Sequence, residues 1–459
     1  MNIFRTTETK DKEVPVRNIS GKMLTVAIEL PFTALLNFWR MLRSSSWAIN
    51  VTKVYAGEIA SKVFAGISII IMVRSLNTQD YAAFIAFNTI MFLIPGLIGG
   101  GINLALIRFA SERLSRSGSR SMTLYLLSFL FQVLLFLIVC IFLIALKEQF
   151  TELLFGDQTF DSALILGLFG GFGYLILKAG ISVYQAEEKF NTTIVLNLLL
   201  QAVKLITLLS LLAFNLLYYT TAAVAIVVTQ LVFAVLVCCH IFKNHNPVAV
   251  FRSFSSCRED VKIFMSSTVW LIAYIFTLTA FQRLDVFMLS HFSSAEELAV
   301  YGVSFQYYAL ALMALGAIHA VMLPKFSKVE MQDHKKQRDF IFRWLKISGW
   351  LLIPVLLVDL FGKSLFLLVN GVQYEKSFDI FVVFSIGVLL SLMFSPLVNV
   401  LMARRQFRFL FFLAVMSLLL NFTGNYFLIP IWGGMGAATI TIVSIGLINI
   451  PSFLKCILE

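Results

Sequence analysis

Charged residues are scarce in this chain of 459 residues: they make up only 13%, whereas hydrophobic residues make up 59%. Soluble domains carry about 25% charged and about 45–50% apolar residues. The shortage of charge excludes an ordinary soluble domain, a disordered chain, collagen and a coiled coil. Because a membrane-spanning helix needs about 20 apolar residues, the composition predicts a polytopic membrane protein with short loops.

Cysteine and the usual cofactor motifs are also sparse. The five cysteines form no CxxC or Cys/His spacing, so we expect neither a metal site nor a disulfide framework. The triplet Gly362-Lys363-Ser364 resembles the end of a P-loop, but Leu357 stands where the first glycine must be. The sequence therefore predicts no ATPase, no metal and no cofactor. The first 22 residues are polar and charged, which argues against a cleavable signal peptide.

Long continuous apolar runs are what the chain has instead, and they predict an all-α membrane protein with twelve transmembrane helices. The predicted spans are Val54–Val73, Ala83–Ile107, Met122–Leu146, Leu164–Val183, Ile194–Phe214, Ala222–Ile241, Ser267–Leu289, Val300–Leu323, Ile341–Phe361, Phe378–Leu401, Phe409–Ile429 and Met435–Phe453.

The positive charges predict the orientation of these spans. With the N-terminus inside, the inner loops hold seventeen Lys and Arg residues, and the outer loops hold only Arg74, Lys147, Lys363 and Lys376. Cytoplasmic loops of membrane proteins are enriched in Lys and Arg. We therefore expect a multi-pass protein of the cell (inner) membrane with both termini in the cytoplasm. The net charge of +11 is explained in this way, without nucleic-acid binding.

The first 50 residues form a separate N-terminal arm. Within it, Met23–Leu42 is fairly apolar but contains Glu29, Pro31 and Arg40. We favour a cytoplasmic arm with an interfacial amphipathic helix. The alternatives are a thirteenth span and a soluble arm.

An internal repeat divides the rest of the chain. The motif Gln185–Phe190 matches Met402–Phe407, and Ala222-Ala223 matches Ala437-Ala438, at offsets of 217 and 215 residues. The predicted domains are thus a six-helix bundle at 51–242, a cytoplasmic linker at 243–266 and a second six-helix bundle at 267–459. Six is an even number, so both bundles enter the membrane in the same direction. Such parallel repeats are typical of transporters with a site between the halves.

Ionisable residues inside the apolar runs are the candidate site residues, because each costs about 2.5–3.5 kcal/mol at mid-helix on insertion scales. Lys204 and Lys178 lie in the first half, and Arg283 and Asp285 lie in the second half. Arg283 and Asp285 point about 200° apart on one helix, so one could face a cavity while the other locks a neighbouring helix. Glu58 and Lys62 lie four residues apart and form either a coupling site or a structural pair.

Four segments give the chain a family resemblance. They are Arg74–Tyr81 with Ala105–Phe109, Arg283-Leu-Asp285 with Tyr301-Gly302, Leu323-Pro324, and Asn421 and Asn425 followed by Ile429-Pro430 and Gly433–Ala438. With these motifs the chain resembles the polysaccharide-biosynthesis flippases, the O-antigen and capsule branch of the multidrug/oligosaccharidyl-lipid/polysaccharide (MOP) exporter superfamily. It departs from them in its long N-terminal arm and in Ala82, where the family usually has Gly.

The resemblance implies two six-helix bundles arranged in a V that alternate between inward- and outward-open states. It implies a non-enzymatic flippase for an oligosaccharide on a polyprenyl diphosphate, such as an O-antigen (lipopolysaccharide), capsule or exopolysaccharide unit. Membrane lipids and polysaccharide assembly enzymes are the other implied partners. Lys204, Lys178, Arg283 and Asp285 are then the expected substrate-binding residues, and the three cations suit an anionic diphosphate.

Two alternatives remain at this stage. One is a cation-coupled multidrug exporter of the same superfamily with Glu58 as the coupling site, although Lys62 lies one turn away. The other is a membrane-embedded polysaccharide polymerase or glycosyltransferase. The longest predicted external segments of this chain are Lys147–Ser162 and Gly362–Ser377. Both are too short to fold alone, which argues against such an enzyme.

Overall fold

The structure, a computed structural model, describes residues 46–117, 122–155, 160–243, 258–329, 341–342, 344–346, 348–350, 352–404 and 406–458. Helices are the regular elements of this part of the chain, and no strand occurs within it. In lipid every backbone N–H and C=O must be paired within the protein, and a helix achieves this locally. The predicted all-α fold of a polytopic membrane protein is confirmed.

Thirteen α-helices with assigned bounds lie in the described ranges and are numbered here in chain order; residues 341–342, 344–346 and 348–349 are helical as well. The thirteen helices are α1 (Ser46–Ser75), α2 (Thr78–Ser117), α3 (Met122–Ala145), α4 (Lys147–Phe155), α5 (Asp161–Ala186), α6 (Phe190–Ala213), α7 (Tyr219–Phe242), α8 (Arg258–Phe292), α9 (Ala295–Val329), α10 (Leu352–Phe361), α11 (Lys363–Asn370), α12 (Glu375–Ala403) and α13 (Phe407–Leu458), with a 3-10 turn at Val372–Tyr374.

Eight helices of the described residues are long and apolar enough to cross a membrane. The number rises to nine if α10 and α11, which meet at a bend of 67°, together form one broken span. The total of twelve thus stays a prediction. The predicted spans Phe409–Ile429 and Met435–Phe453 both lie in α13, and the predicted span Ile341–Phe361 is described only in part.

The chain divides into two compact units, Met1–Ile59 and Ala60–Glu459. The described part of the first unit consists of the opening turns of α1. The predicted interfacial helix at Met23–Leu42 lies outside the described residues. The second unit has one large apolar core that contains Tyr81, Tyr301 and Tyr374, with residues from α1 to α9 and from α11 to α13. The predicted division into two six-helix bundles stays a prediction.

Helix α2 is the centre of the second unit, where it contacts α5, α8 and α9. Glycines bring the backbones close at the crossing of α2 and α8. A Cβ atom at Gly101 would lie 2.6 Å from the Cα atom of Ile272, which leaves no room for a side chain. Small residues at such crossings let transmembrane helices pack tightly without a hydrophobic driving force.

Helix α13 is a hairpin of two antiparallel arms that meet at Gly433. Gly433 has φ +53° and ψ −133°, a backbone conformation open mainly to glycine. The Glu297 carboxylate of α9 accepts a hydrogen bond from the Gly434 N–H at 3.2 Å, which ties the turn to α9. The arms pack closely: a Cβ atom at Gly436 would lie 2.6 Å from the Leu428 carbonyl oxygen. The motif Gly433–Ala438 is therefore the sequence of a tight helical hairpin.

Candidate functional site

A row of cations and aromatic rings crosses the interior between helices of the two predicted bundles. Its centre is Arg283 on α8, whose guanidinium carbon lies 5.6 Å from the ring centre of Phe92 on α2 and 5.7 Å from that of Phe305 on α9. Contacts of this kind stabilise a cation by about 0.5–2 kcal/mol each. Arg283 as a whole is half-buried.

The row continues from Phe92 to a second cation on α5. The rings of Phe92 and Tyr174 meet edge to face, with centres 4.9 Å apart. The Lys178 ammonium lies 5.4 Å from the centre of the Tyr174 ring, one helical turn away on the same face of α5. We call Lys178, Tyr174, Phe92, Arg283 and Phe305 the cation–aromatic row. It contains two of the predicted substrate-binding residues, Lys178 and Arg283, with the rings of Tyr174 and Phe92 between them.

The cation–aromatic row lies deep in the predicted membrane region. Arg283 precedes the end of α8 by nine residues and Phe305 follows the start of α9 by ten, or about 14–15 Å of helix at 1.5 Å per residue. Both of those helix ends belong to the predicted outer face. Lys178 precedes the opposite end of α5 by eight residues, or about 12 Å. The row therefore runs through the middle of the helices rather than along either surface.

Asp285, two residues from Arg283, is enclosed by a separate hydrogen-bond network. Its Oδ2 accepts from the Tyr301 hydroxyl at 2.8 Å and lies 2.5 Å from the Thr441 hydroxyl. Its Oδ1 accepts from the Asn425 amide at 2.7 Å, and Asn425 also donates to Asn421 at 3.0 Å. We call these five residues the Asp285 network. Asp285 is only 2% exposed, so its carboxylate joins α8 to α9 and to both arms of α13.

The Asp285 network is also the main gathering of oxygen-bearing side chains on α8, α9 and α13. Oxygen ligands are those that hard cations prefer. In the arrangement observed, however, protein donors occupy both oxygens of the carboxylate. The described residues contain no cluster of three or more His, Cys, Asp or Glu side chains that could hold a metal ion.

Lys204 is not part of the cation–aromatic row. It lies on α6, which packs against α5 and α7. It is half-buried, and no described residue forms a hydrogen bond or an ion pair with its ammonium group. Lys204 shares its helix face with Asn197, two turns earlier, whose carbonyl oxygen accepts from Ser61 of α1 at 3.4 Å. Its role in binding substrate stays a prediction.

The predicted pair of Glu58 and Lys62 is only partly visible. Lys62 is half-buried on α1, whereas the side chain of Glu58 lies outside the described residues. Whether these two residues form a coupling site or a structural pair therefore stays a prediction.

Asp359 is a half-buried ionisable residue that the sequence analysis overlooked. It lies on α10, inside the apolar run Ile341–Phe361, and its Oδ2 accepts a hydrogen bond from Ser385 of α12 at 2.7 Å. A single acidic residue in that run was the available signal. The rings of Phe92, Tyr174 and Phe305 were also missed, because 45 phenylalanines and 13 tyrosines give no means of selecting them.

Several contacts join the two predicted bundles near the predicted outer face. Arg74 of α1 donates to the Leu368 carbonyl of α11 at 2.7 Å, and Ser290 of α8 donates to the Leu154 carbonyl of α4 at 3.1 Å. The rings of Phe155 and Phe287 lie 5.5 Å apart. These contacts hold helices of the two predicted bundles together near the predicted outer face.

Solved structures of similar fold are membrane transporters. The inward-closed lipid II flippase MurJ aligns over 89% of this chain and 90% of its own, with 13% identity and a TM-score of 0.66. An inward-facing multidrug resistance MATE family transporter of the MOP superfamily aligns over 86% and 93%, with 15% identity and a TM-score of 0.63. A MOP superfamily transporter from Pyrococcus furiosus aligns over 88% and 94%, with 13% identity and a TM-score of 0.60. These likenesses show a shared fold.

Comparison with curated proteins gave no match. The family model described as "Polysaccharide biosynthesis protein" matches residues 48–330, which is more than half of the chain. The matched region includes α2, α5, α8 and α9 and therefore the whole cation–aromatic row. The chain is a multi-pass membrane protein that belongs to the polysaccharide biosynthesis protein family.

Proposed function

We propose that this protein is a flippase that moves a polyprenyl-diphosphate-linked oligosaccharide from the cytoplasmic to the outer leaflet of the cell membrane by alternating access. The oligosaccharide would be an O-antigen, capsule or exopolysaccharide unit. Family membership and the MOP transporter fold support transport rather than catalysis. The observation that carries the proposal is the cation–aromatic row.

The cation–aromatic row has the chemistry that a diphosphate requires. A guanidinium donates two parallel hydrogen bonds to a phosphate, and an ammonium adds a point charge. Arg283 and Lys178 supply one of each, and no described carboxylate forms an ion pair with either. The half-buried rings of Phe92, Tyr174 and Phe305 lower the local dielectric constant, which strengthens the interaction of a bound anion with the cations. Lys204 would add a third positive charge.

The outer surface of the helices suits the lipid part of the substrate. On α3 and α6, apolar side chains such as Ile141 and Ile206 are more than 60% exposed in the protein alone. A polyprenyl tail can therefore stay in the bilayer while the diphosphate and sugar pass between the helices. The contacts at the predicted outer face, such as Ser290 with Leu154, would have to open for release.

The test is a set of substitutions in a strain that lacks its own copy of the protein. Arg283→Ala should lower surface polysaccharide roughly ten- to hundredfold, since a hydrogen bond to a charged group contributes about 1.5–3 kcal/mol. Arg283→Lys should retain part of the activity, because the charge remains while the fork geometry is lost. Lipid-linked oligosaccharide should accumulate in the cytoplasmic leaflet.

Lys147→Ala is the matched control. Lys147 is a cation outside the cation–aromatic row, in a part-buried ion pair with Asp161 at 3.3 Å, so its removal should leave display unchanged. Membrane abundance and thermal stability separate a lost contact from a misfolded protein. Normal display from both Arg283→Ala and Lys178→Ala would contradict the proposal.

A further inference from the structure

A cavity lies between α9, α10 and α12, and two of its lining rings, Tyr308 and Phe384, lie 6.0 Å from the ring of Phe305 in the cation–aromatic row. Its volume is about 260 Å³. Aromatic rings form much of its wall, together with aliphatic side chains such as Val355 and Val388. The rings are those of Tyr307, Tyr308, Phe381 and Phe384. The single ionisable carboxylate of the described lining is Asp359, and none of the lining residues is basic.

Asp359 is only half satisfied by the protein. Ser385 donates to its Oδ2 at 2.7 Å, but its Oδ1 is buried and no described residue donates a hydrogen bond to it. A buried carboxylate oxygen without a partner is costly, and more so within a membrane. An occupant of the cavity that carries positive charge would offset this cost.

The lining favours an organic cation over a metal ion. Ca²⁺ takes six to eight oxygen ligands, and Mg²⁺ needs a nearly octahedral oxygen set, whereas the side-chain oxygens of the described lining are those of Asp359, Ser385 and two tyrosines. The Tyr307 hydroxyl donates to Asn370 at 2.8 Å, which leaves its ring for the cavity. Tyr308 and Phe384 are stacked with centres 4.7 Å apart. Quaternary ammonium groups bind to such ring faces without hydrogen bonds.

The position of α10 indicates how a ligand would enter. Its residues Leu356, Leu357 and Leu360 are exposed, so α10 is a peripheral helix whose outer side faces lipid. A ligand that partitions into the bilayer can therefore reach the cavity beside α10. We propose that this cavity is a binding site for a lipophilic monovalent organic cation, with Asp359 as its counter-ion. Its lining shares no residue with the cation–aromatic row of the proposed flippase site, whose charges are positive.

The test uses the full-length protein in nanodiscs of zwitterionic lipid and radiolabelled benzyltrimethylammonium as the probe. This ion has a permanent charge and an aromatic ring. Wild-type protein should bind it saturably, with one site per chain. Asp359→Asn should weaken binding at least tenfold. Val388→Phe, which fills the cavity and keeps the carboxylate, should also abolish saturable binding.

Two controls separate charge from shape. Neopentylbenzene has the same shape with carbon in place of the ammonium nitrogen, and an excess of it should not displace the probe. Asp379→Asn removes an exposed carboxylate from α12 and should bind like the wild type. Equal binding by wild type and Asp359→Asn, displacement by neopentylbenzene, or no saturable binding to a folded wild-type protein would each overturn the proposal.

Discussion

The Asp285 network should behave as a structural lock between α8, α9 and α13. In Asp285→Ala, the Tyr301 hydroxyl and the Asn425 amide lose their acceptor while they remain fully buried. Each buried donor without a partner costs about 1–3 kcal/mol. Thr441 is not counted, because its hydroxyl can turn to the Ala437 carbonyl at 2.9 Å. The expected loss of stability is therefore about 2–6 kcal/mol.

Asp285→Asn should cost less, about 1–3 kcal/mol. Its oxygen can still accept from Tyr301, but its NH₂ group meets the NH₂ group of Asn425. Asn425 cannot reverse its amide without loss, because the same NH₂ group donates to Asn421 at 3.0 Å. The double variant Asp285→Asn/Asn425→Asp exchanges the two side chains and restores a donor opposite an acceptor. Its carboxylate at position 425 no longer donates to Asn421, so it should recover only part of the lost stability.

The assay is thermal unfolding of the detergent-purified variants, measured together with membrane abundance. The expected order of stability is wild type, exchanged pair, Asp285→Asn and Asp285→Ala. Wild-type stability in Asp285→Ala would refute the lock. An exchanged pair no more stable than Asp285→Asn would show that the hydrogen-bond pattern is not what stabilises the network.

Three further outcomes are expected from the same reasoning. Lys204→Ala should abolish surface polysaccharide at normal protein abundance if Lys204 contacts the diphosphate, and a fall in abundance would instead indicate a structural partner. Gly424→Ala should destabilise the α13 hairpin, because its Cβ atom would lie 2.1 Å from Ile440 Cγ1. Adding Ile440→Ala should restore stability in thermal unfolding. A Gly424→Ala variant as stable as the wild type would contradict this. A short cross-link between cysteines placed at Leu154 and Ser290 should block display until it is cleaved by reductant, whereas unaffected display would show that the outer contacts need not open.

Much of the fold follows from the sequence because the bilayer imposes it. Apolar runs of sufficient length must be helices, and the turn residues Gly433 and Gly434 mark the hairpin of α13. The opposed directions of the Arg283 and Asp285 side chains also follow from the sequence, because an α-helix turns by about 100° per residue. The structure shows the two side chains in different surroundings, one between aromatic rings and one inside a hydrogen-bond network.

The partners of these residues could not be predicted, because each contact joins helices that are distant in the chain. Phe92, Tyr174 and Phe305 resemble any other aromatic residue of an apolar run. Only the crossing of α2 with α5, α8 and α9 selects them. Asn425 and Thr441 were visible as polar residues near the end of the chain, but their acceptor, Asp285, is more than a hundred residues away.

The close spacing of Arg283 and Asp285 has a mechanical consequence for transport. The Asp285 network fixes this part of α8 to α9 and α13, so Arg283 must move with them. One of its two aromatic contacts, Phe305, lies on α9, and the other, Phe92, lies on α2. If α2 separates from α9 during the proposed cycle, Arg283 therefore keeps Phe305 and loses Phe92. That loss costs only about 0.5–2 kcal/mol, which a diphosphate bound to the freed guanidinium can offset. Binding of the proposed substrate to Arg283 would thus favour the conformation in which α2 is separated from α9.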